Sequence, residues 1–189
     1  MQSQQSPAGE TVADVGEFSL IGAVVAGRSQ PATTRLGPGD DAAVVTAADG
    51  RVVATTDVLV QGVHFRLDWS TAEQVGRKAV AVNLADIAAM GACPTSVLVG
   101  LACPASTPTR VVLDLAKGIG AEAERAGAGL VGGDMVSADQ IVLSVTALGD
   151  LGGRPPVTRS GARPGDVLAV KGRLGWAAAG LAVLGRGFR

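Results

Sequence analysis

The stretch that decides the fold is "AVAVNLADIAAMGA", residues 79–92. It is a run of apolar, helix-forming residues that is interrupted by Asn83 and, three residues later, by Asp86. On a helix, Asp86 falls in one stripe with four apolar side chains, those of Val75, Ala79, Val82 and Met90. An ionised carboxylate in an apolar setting costs several kcal/mol unless a counter-charge or a metal meets it. We therefore expect a long helix on which Asp86 either faces water or meets a positive charge beside the packed face.

The composition is that of a globular protein and excludes several functional classes. The chain has 189 residues, of which 47% are apolar and 17% charged, and its net charge is −1, so neither a nucleic-acid-binding surface nor a nucleic-acid partner is expected. No apolar run approaches the ~20 residues that span a bilayer, so no membrane association is expected. Cys93 and Cys103 fit no zinc spacing or disulfide scaffold and are expected to be reduced. The N-terminus lacks the features of a signal peptide, so a cytoplasmic location is expected.

On both sides of this helix, hydrophobic periodicity and turn residues predict a mixed order of helices and strands. A capping box of Ser70 with Glu73 predicts the start of the long helix, and the preceding strand is expected to end near Asp57. The expected helices cover 17–28, 71–91 and 108–127, and the expected strands lie within 36–45, 51–65, 95–103, 128–136 and 139–151. This order predicts an α+β fold in which a mixed sheet carries its helices on one face.

The chain is expected to divide into three parts. Residues 1–16 are expected to be a flexible tail, and residues 17–152 the folded domain. Residues 153–189 are expected to hold a linker rich in Gly, Pro and Arg, followed by the first strand (167–172) and helix (176–185) of an incomplete second domain. One strand and one helix cannot form a hydrophobic core by themselves. This segment must therefore pack on the first domain, swap with a partner or begin a domain that the chain lacks.

Acidic residues stand at the ends of the predicted elements, where functional sites are often built. They are Asp40 with Asp41, Asp57, Asp86 and Asp134. Dispersed carboxylates and hydroxyls suit Mg²⁺, which keeps waters or takes substrate phosphates, and Thr55 and Thr56 add hydroxyls beside Asp57. Each cluster alone also fits a turn or an exposed helix residue. His64, the only histidine, fits a structural role as well as a functional one. The sequence has no Walker-type glycine loop and no kinase-type GxGxxG motif before a helix.

Several motifs together carry a family resemblance. In order along the chain they are "EFSLI", "GPGDDAAVV", "TTDVLVQGVHF", "GRKAVAVNLADIAAMGACP", "GGD" and "VTRSGARPGDVLAV". In this combination the sequence resembles the thiamine-monophosphate kinase family of the aminoimidazole-ribonucleotide-synthetase-like superfamily, from about residue 17 to the end of the chain.

The resemblance implies an activity and a set of site residues. The implied reaction is in-line transfer of the γ-phosphoryl group of ATP to thiamine monophosphate, with several Mg²⁺ ions bridging the phosphates and thiamine diphosphate as the product. It implies a homodimer whose sheets pair. Carried over motif by motif, the implied metal ligands are Asp41, Thr55, Thr56, Asp57, Asp86 and Asp134. His64 would contact the thiamine phosphate. Gly133, Asp134 and Arg159 would contact ATP. No catalytic base is implied, because the attacking phosphate oxygen is already anionic.

The sequence departs from the family pattern at three points. "GGDM" stands where the family has "GGDT", and "GRLGWAAAGL" lacks a small polar residue. Family members are also considerably longer, and their second half adds metal, ATP and thiamine contacts. Two alternatives therefore stay open, a non-catalytic fragment that binds Mg²⁺ or nucleotide and dimerises, or another ATP-using member of the superfamily. The cysteine positions fit the selenophosphate synthases and hydrogenase-maturation proteins of that superfamily less well.

Overall fold

A computed structural model describes residues 9–187, which form two compact units that divide after Val157. The helices are α1 (Val12–Val15), α2 (Glu17–Val25), α3 (Ala72–Ala89), α4 (Thr109–Arg125) and α5 (Trp176–Gly185). The strands are β1 (Thr34–Leu36), β2 (Val44–Val45), β3 (Val53–Val60), β4 (Cys93–Cys103), β5 (Gly129–Ser137) and β6 (Val142–Asp150). None of these helices is long and apolar enough to cross a membrane.

The main sheet has four strands in the order β3-β6-β4-β5. β6 runs antiparallel to both of its neighbours, and β4 runs parallel to β5. α4 supplies the crossover that a parallel pair requires. β1 and β2 form a separate two-stranded sheet. The mixed sheet confirms the expected α+β class.

Burial alternates along β6 and separates the two faces of the sheet. Leu143, Val145 and Ala147 are buried, whereas Ser144 and Thr146 between them are partly exposed. The buried side, which α3 and α4 cover, is called the helix face below, and the other side the open face. The helices therefore lie on one face of the sheet, as expected.

The long helix begins one residue later than the predicted capping box. The N–H of Ser70 donates to the carbonyl of Arg66 in the preceding turn, at 3.0 Å, so Ser70 still belongs to that turn. Thr71 is the N-cap instead: its hydroxyl accepts from the N–H of Gln74 at 3.2 Å, and its own N–H donates to Gln74 Oε1 at 2.9 Å. The predicted pair of Ser70 and Glu73 is therefore wrong, although the type of cap is right.

Glycines allow the backbones of the main elements to approach closely. A Cβ on Gly76 of α3 would overlap the carbonyl oxygen of Leu115 in α4, and a Cβ on Gly118 of α4 would overlap that of Glu73 in α3. The two helices thus cross at a reciprocal pair of glycines. On the sheet side, a Cβ on Gly149 would overlap the side chain of Ile87. α3 is therefore held tightly between the sheet and α4.

Gly118→Ala is expected to destabilise the protein by about 2 kcal/mol or more, because its methyl group forces two helix backbones apart. Gly22→Ala in α2 is the matched control, since nothing lies within 4 Å of its added Cβ. This control is expected to be neutral or stabilising by up to about 1 kcal/mol, from helix propensity. Urea unfolding midpoints measure both. Equal midpoints for the two variants would contradict the close crossing.

Parts of the predicted tail and linker belong to the first unit. Residues 1–8 of the expected tail lie outside the described residues. Further along, the N–H of Val12 donates to the carbonyl of Thr107 at 2.9 Å. At the other end, the N–H of Val157 donates to the carbonyl of Met90, at 3.0 Å, and Arg154 Nη2 donates to the carbonyl of Gly91 at 2.9 Å. These parts are attached to the first unit, and the domain boundaries stay a prediction.

The second unit begins at Thr158 and is described by itself. α5 forms where a helix was expected. The strand expected at 167–172 does not form among the described residues, and Val167 and Leu168 are almost fully exposed. This prediction is wrong because a strand needs a neighbour for its backbone hydrogen bonds, and the described part of this unit supplies none.

Candidate functional site

β3 carries two of the predicted ligands on the helix face. Thr55 lies opposite Ala147 and Asp57 opposite Val145, and both of these partners are buried on that face. Side chains two residues apart on a strand point to the same side, about 7 Å apart. The sequence predicts that this strand ends near Asp57. It continues instead to Val60. Its apolar residues beyond Asp57 pair with β6 and extend it.

Asp86 of α3 lies beside Thr55. The hydroxyl of Thr55 donates to Asp86 Oδ2 at 3.2 Å, across the gap between α3 and the edge strand. Asp86 is exposed and stands at the margin of the packed stripe, whose buried members are Ala72, Val75, Gly76, Ala79, Val80, Asn83, Leu84 and Ile87. It therefore faces water, and the expected contact with a positive charge stays a prediction. The carboxylate is accessible to a ligand.

Asn83, the other polar residue of the opening stretch, is a core residue. Its Nδ2 donates to the carbonyl of Ala79 at 2.9 Å, one turn earlier, and its side chain is fully buried. Its Oδ1 accepts no hydrogen bond from the residues that the structure describes. Asn83 and Asp86 thus interrupt the apolar run for different reasons, one inside the core and one at its edge.

Thr56 and Asp134 lie on the open face. Thr56 Oγ1 donates to the carbonyl of Val145 at 3.1 Å and accepts from Thr146 Oγ1 at 3.2 Å. Asp134 is paired in register with Gly100 on β5, the edge strand opposite to β3. Three strand spacings, about 14 Å, separate the two edge strands. The sheet therefore separates Thr56 and Asp134 from the pair of Thr55 and Asp86.

Asp41 and Arg159 belong to other parts of the chain. Asp41 is exposed in the turn between β1 and β2, where its N–H donates to Asp40 Oδ1 at 2.9 Å. Arg159 is an exposed residue of the second unit. Between residues 9 and 187, no three His, Cys, Asp or Glu side chains come close enough to hold a metal together. The structure thus brings together Thr55, Asp57 and Asp86 on one face, and the full ligand set stays a prediction.

Gly133 has a packing role that is independent of any ligand. A Cβ at this position would overlap the carbonyl oxygen of Val99 on the neighbouring strand. The glycine therefore permits the close approach of β5 to β4. Its predicted contact with ATP stays a prediction, and replacing Gly133 would test the sheet more than the contact.

His64 follows the end of β3, in a tight turn. The N–H of Val60 donates to His64 Nδ1 at 3.0 Å, and the N–H of His64 donates to the carbonyl of Val60 at 2.8 Å. Lys78 of α3 donates from Nζ to the carbonyl of His64 at 2.6 Å. The sequence reasoning missed Lys78, because a backbone carbonyl as its partner leaves no pattern of side chains to find.

The comparisons with known proteins agree with this architecture. The family described as "AIR synthase related protein, N-terminal domain" matches residues 39–151. Thiamine-monophosphate kinase of Mycobacterium tuberculosis strain H37Rv is 60% identical over 173 residues, which are 92% of this chain and 52% of that protein. The crystal structure of thiamine-monophosphate kinase from Stenotrophomonas maltophilia K279a is 31% identical, with a TM-score of 0.66, over 90% of this chain and 52% of that one.

A further solved structure, AaThiL complexed with AMPPCP and TMP, is 28% identical with a TM-score of 0.51, over 71% of this chain and 42% of that chain. The chain spans about half the length of the curated relatives that it matches. The family match alone covers more than half of this chain. The chain therefore belongs to the AIR synthase related protein family and contains its N-terminal domain.

Proposed function

We propose that this chain carries the metal- and phosphate-binding part of a thiamine-monophosphate kinase. Two findings support the proposal: relatives with that name at up to 60% identity, and a solved neighbour that holds AMPPCP and TMP. The proposed reaction consumes ATP and thiamine monophosphate and yields ADP and thiamine diphosphate. The free thiols of Cys93 and Cys103 suit the reducing cytoplasm, which is the proposed location.

The observation that carries the proposal is the group of oxygens at the margin of α3 and β3. Thr55 and Asp86 are in contact, and Asp57 lies on the same face of β3. Carboxylate and hydroxyl oxygens are ligands that suit Mg²⁺, so the residues present fit this ion chemically. We propose that these three residues hold Mg²⁺. Asp41 and, on the open face, Thr56 and Asp134 are proposed ligands of further ions. His64 stands beyond the end of the same strand, where it would meet the acceptor phosphate.

The chain's own residues would mainly position the two phosphates. A phosphate oxygen of thiamine monophosphate attacks the γ-phosphorus of ATP, and the bond from that phosphorus to the β–γ bridging oxygen breaks. Mg²⁺, when bound, neutralises charge on both phosphates. Asp57 and Asp86 would fix the ions, and His64 would orient the acceptor by a hydrogen bond. No residue has to remove a proton, because the attacking oxygen is already an anion.

The open face of the sheet is proposed to pair with a second copy of the chain. Val58 of β3 and Val136 of β5 project from this face and are 48% and 53% exposed. Pairing of the sheets is what the family resemblance implies, and these exposed apolar side chains are compatible with it. A homodimer formed through this face would enclose Thr56 and Asp134 between the two copies and would leave Thr55, Asp57 and Asp86, on the other side, accessible.

Asp86→Asn and Asp57→Asn are each expected to weaken Mg²⁺-dependent binding of AMPPCP at least about tenfold, because each removes one carboxylate from the ion. Isothermal titration calorimetry at fixed Mg²⁺ measures this affinity, and formation of thiamine diphosphate from ATP measures turnover. Asp86→Asn is expected to leave the free energy of unfolding nearly unchanged, since Asp86 is exposed.

Asp139→Asn is the matched control, an exposed aspartate in the turn before β6 that should keep full affinity. Binding of AMPPCP that does not depend on Mg²⁺, or that survives both site substitutions, would contradict the proposed site. Binding without turnover would favour the alternative of a nucleotide-binding fragment.

Val58→Lys is expected to convert a dimer into a monomer, because it places an unpaired charge within the proposed interface. Val52→Lys is the control, since Val52 is 49% exposed and precedes the sheet. Analytical ultracentrifugation distinguishes the two states. A monomeric unmodified chain, or a dimer that persists with Val58→Lys, would contradict pairing through the open face.

A further inference from the structure

His64 is exposed, but three hydrogen bonds fix its ring and its backbone. Its ring nitrogen Nδ1, its backbone N–H and its backbone carbonyl each make a hydrogen bond, to Val60 and Lys78. The turn around it is closed by the N–H of Gly62, which donates to the carbonyl of Phe65 at 2.8 Å. Phe65 is buried and anchors the turn to the core. Ordering an exposed side chain costs conformational entropy, so such an arrangement indicates a presented functional group.

The hydrogen bond from Val60 decides which ring nitrogen carries the proton. A backbone N–H can donate only to a nitrogen with a free lone pair, so Nδ1 is the unprotonated nitrogen of the neutral ring. The ring proton is therefore on Nε2. Nε2 makes no hydrogen bond with any residue that the structure describes. It is an outward-facing donor, ready for an anionic oxygen.

Lys78 links this turn to the helix that carries Asp86. Its Nζ donates to the carbonyl of His64, and within residues 9–187 it has no carboxylate partner in a salt bridge. Lys78 lies in α3, whose position is fixed by the close contacts of Gly76 and Gly149 described above. The ammonium group thus fixes the height of the histidine turn relative to Asp86.

We propose that Lys78 is a positioning residue, which holds His64 as an Nε2–H donor toward a phosphate monoester. The proposal rests on the proposed function only for the identity of that ligand, thiamine monophosphate. The tautomer and the role of Lys78 follow from hydrogen bonds within this chain. Lys78 acts through His64, and the ammonium group itself need not touch the substrate.

The first test measures the ¹⁵N resonances of the two ring nitrogens of His64 in the absence of substrate. The chain has one histidine, so ¹⁵N-labelled histidine yields one pair of ring-nitrogen resonances. At a pH where the ring is neutral, Nδ1 is expected to resonate as an unprotonated nitrogen and Nε2 as a protonated one. Intermediate shifts, typical of two exchanging tautomers, would overturn the proposal.

The second test removes the ammonium group. Lys78→Met keeps most of the aliphatic stem and is expected to shift the ring resonances toward tautomer exchange. It is also expected to weaken binding of thiamine monophosphate about five- to tenfold, the effect of one net hydrogen bond, while affinity for AMPPCP is unchanged. Lys78→Arg can donate to the same carbonyl and is expected to restore both readouts in part. Lys117→Met, on α4, is the matched control.

The outcomes separate this inference from the proposed function. Ring resonances that are identical in the unmodified chain and in Lys78→Met would overturn the role of Lys78. Equal loss of affinity for thiamine monophosphate and AMPPCP would also overturn it, because it would indicate a general effect on folding. If the unmodified chain shows the expected tautomer, and Lys78→Met disturbs it, but neither binds thiamine monophosphate, the proposed function fails and the positioning role stands.

Discussion

The close packing of α3 is the constraint on which the rest of the structure depends. Gly76 meets α4, and Gly149 of β6 meets Ile87, so the helix axis lies nearer to its neighbours than larger side chains would allow. Van der Waals contacts in such a core permit little displacement. Asp86 at the far end of the helix and Lys78 near its start are therefore held at defined heights above the edge strand, one contacting Thr55 and the other His64.

This arrangement explains how an apolar helix can carry functional groups at no great cost in stability. The buried stripe of α3 supplies the hydrophobic contacts, and Asp86 stands at its exposed margin. Both the Asp86 and the Lys78 contacts cross from α3 to β3 or to the turn after it. Helix and strand together thus form one rigid frame, which carries both the proposed ion site and His64.

The periodicity of the sequence predicted the fold class, the positions of α3 and α4 and the alternating strands, because each pattern reflects a buried face. It failed where a residue's state depends on partners distant in sequence. A helical projection of the sequence places Asp86 in a stripe with Val82. The buried face of α3 instead includes Ala79, Asn83 and Ile87, and it is defined by the sheet and α4. The strand at 167–172 needed a neighbour, and the contact of Lys78 with a carbonyl has no sequence signal. The motifs predicted Asp57, Asp86 and His64 as site residues, and they carry no signal for the distribution of the acids over both faces of the sheet.

The central claim is that the metal site lies on the helix face of β3. Mn²⁺ takes the same oxygen ligands as Mg²⁺ and broadens the NMR signals of nearby nuclei, so titrating it into ¹⁵N-labelled protein locates the site directly. The account predicts that the amide signals of Thr55, Asp57 and Asp86 broaden first, at substoichiometric Mn²⁺. Broadening centred instead on Asp134, with the signals of β3 and α3 unchanged, would contradict it.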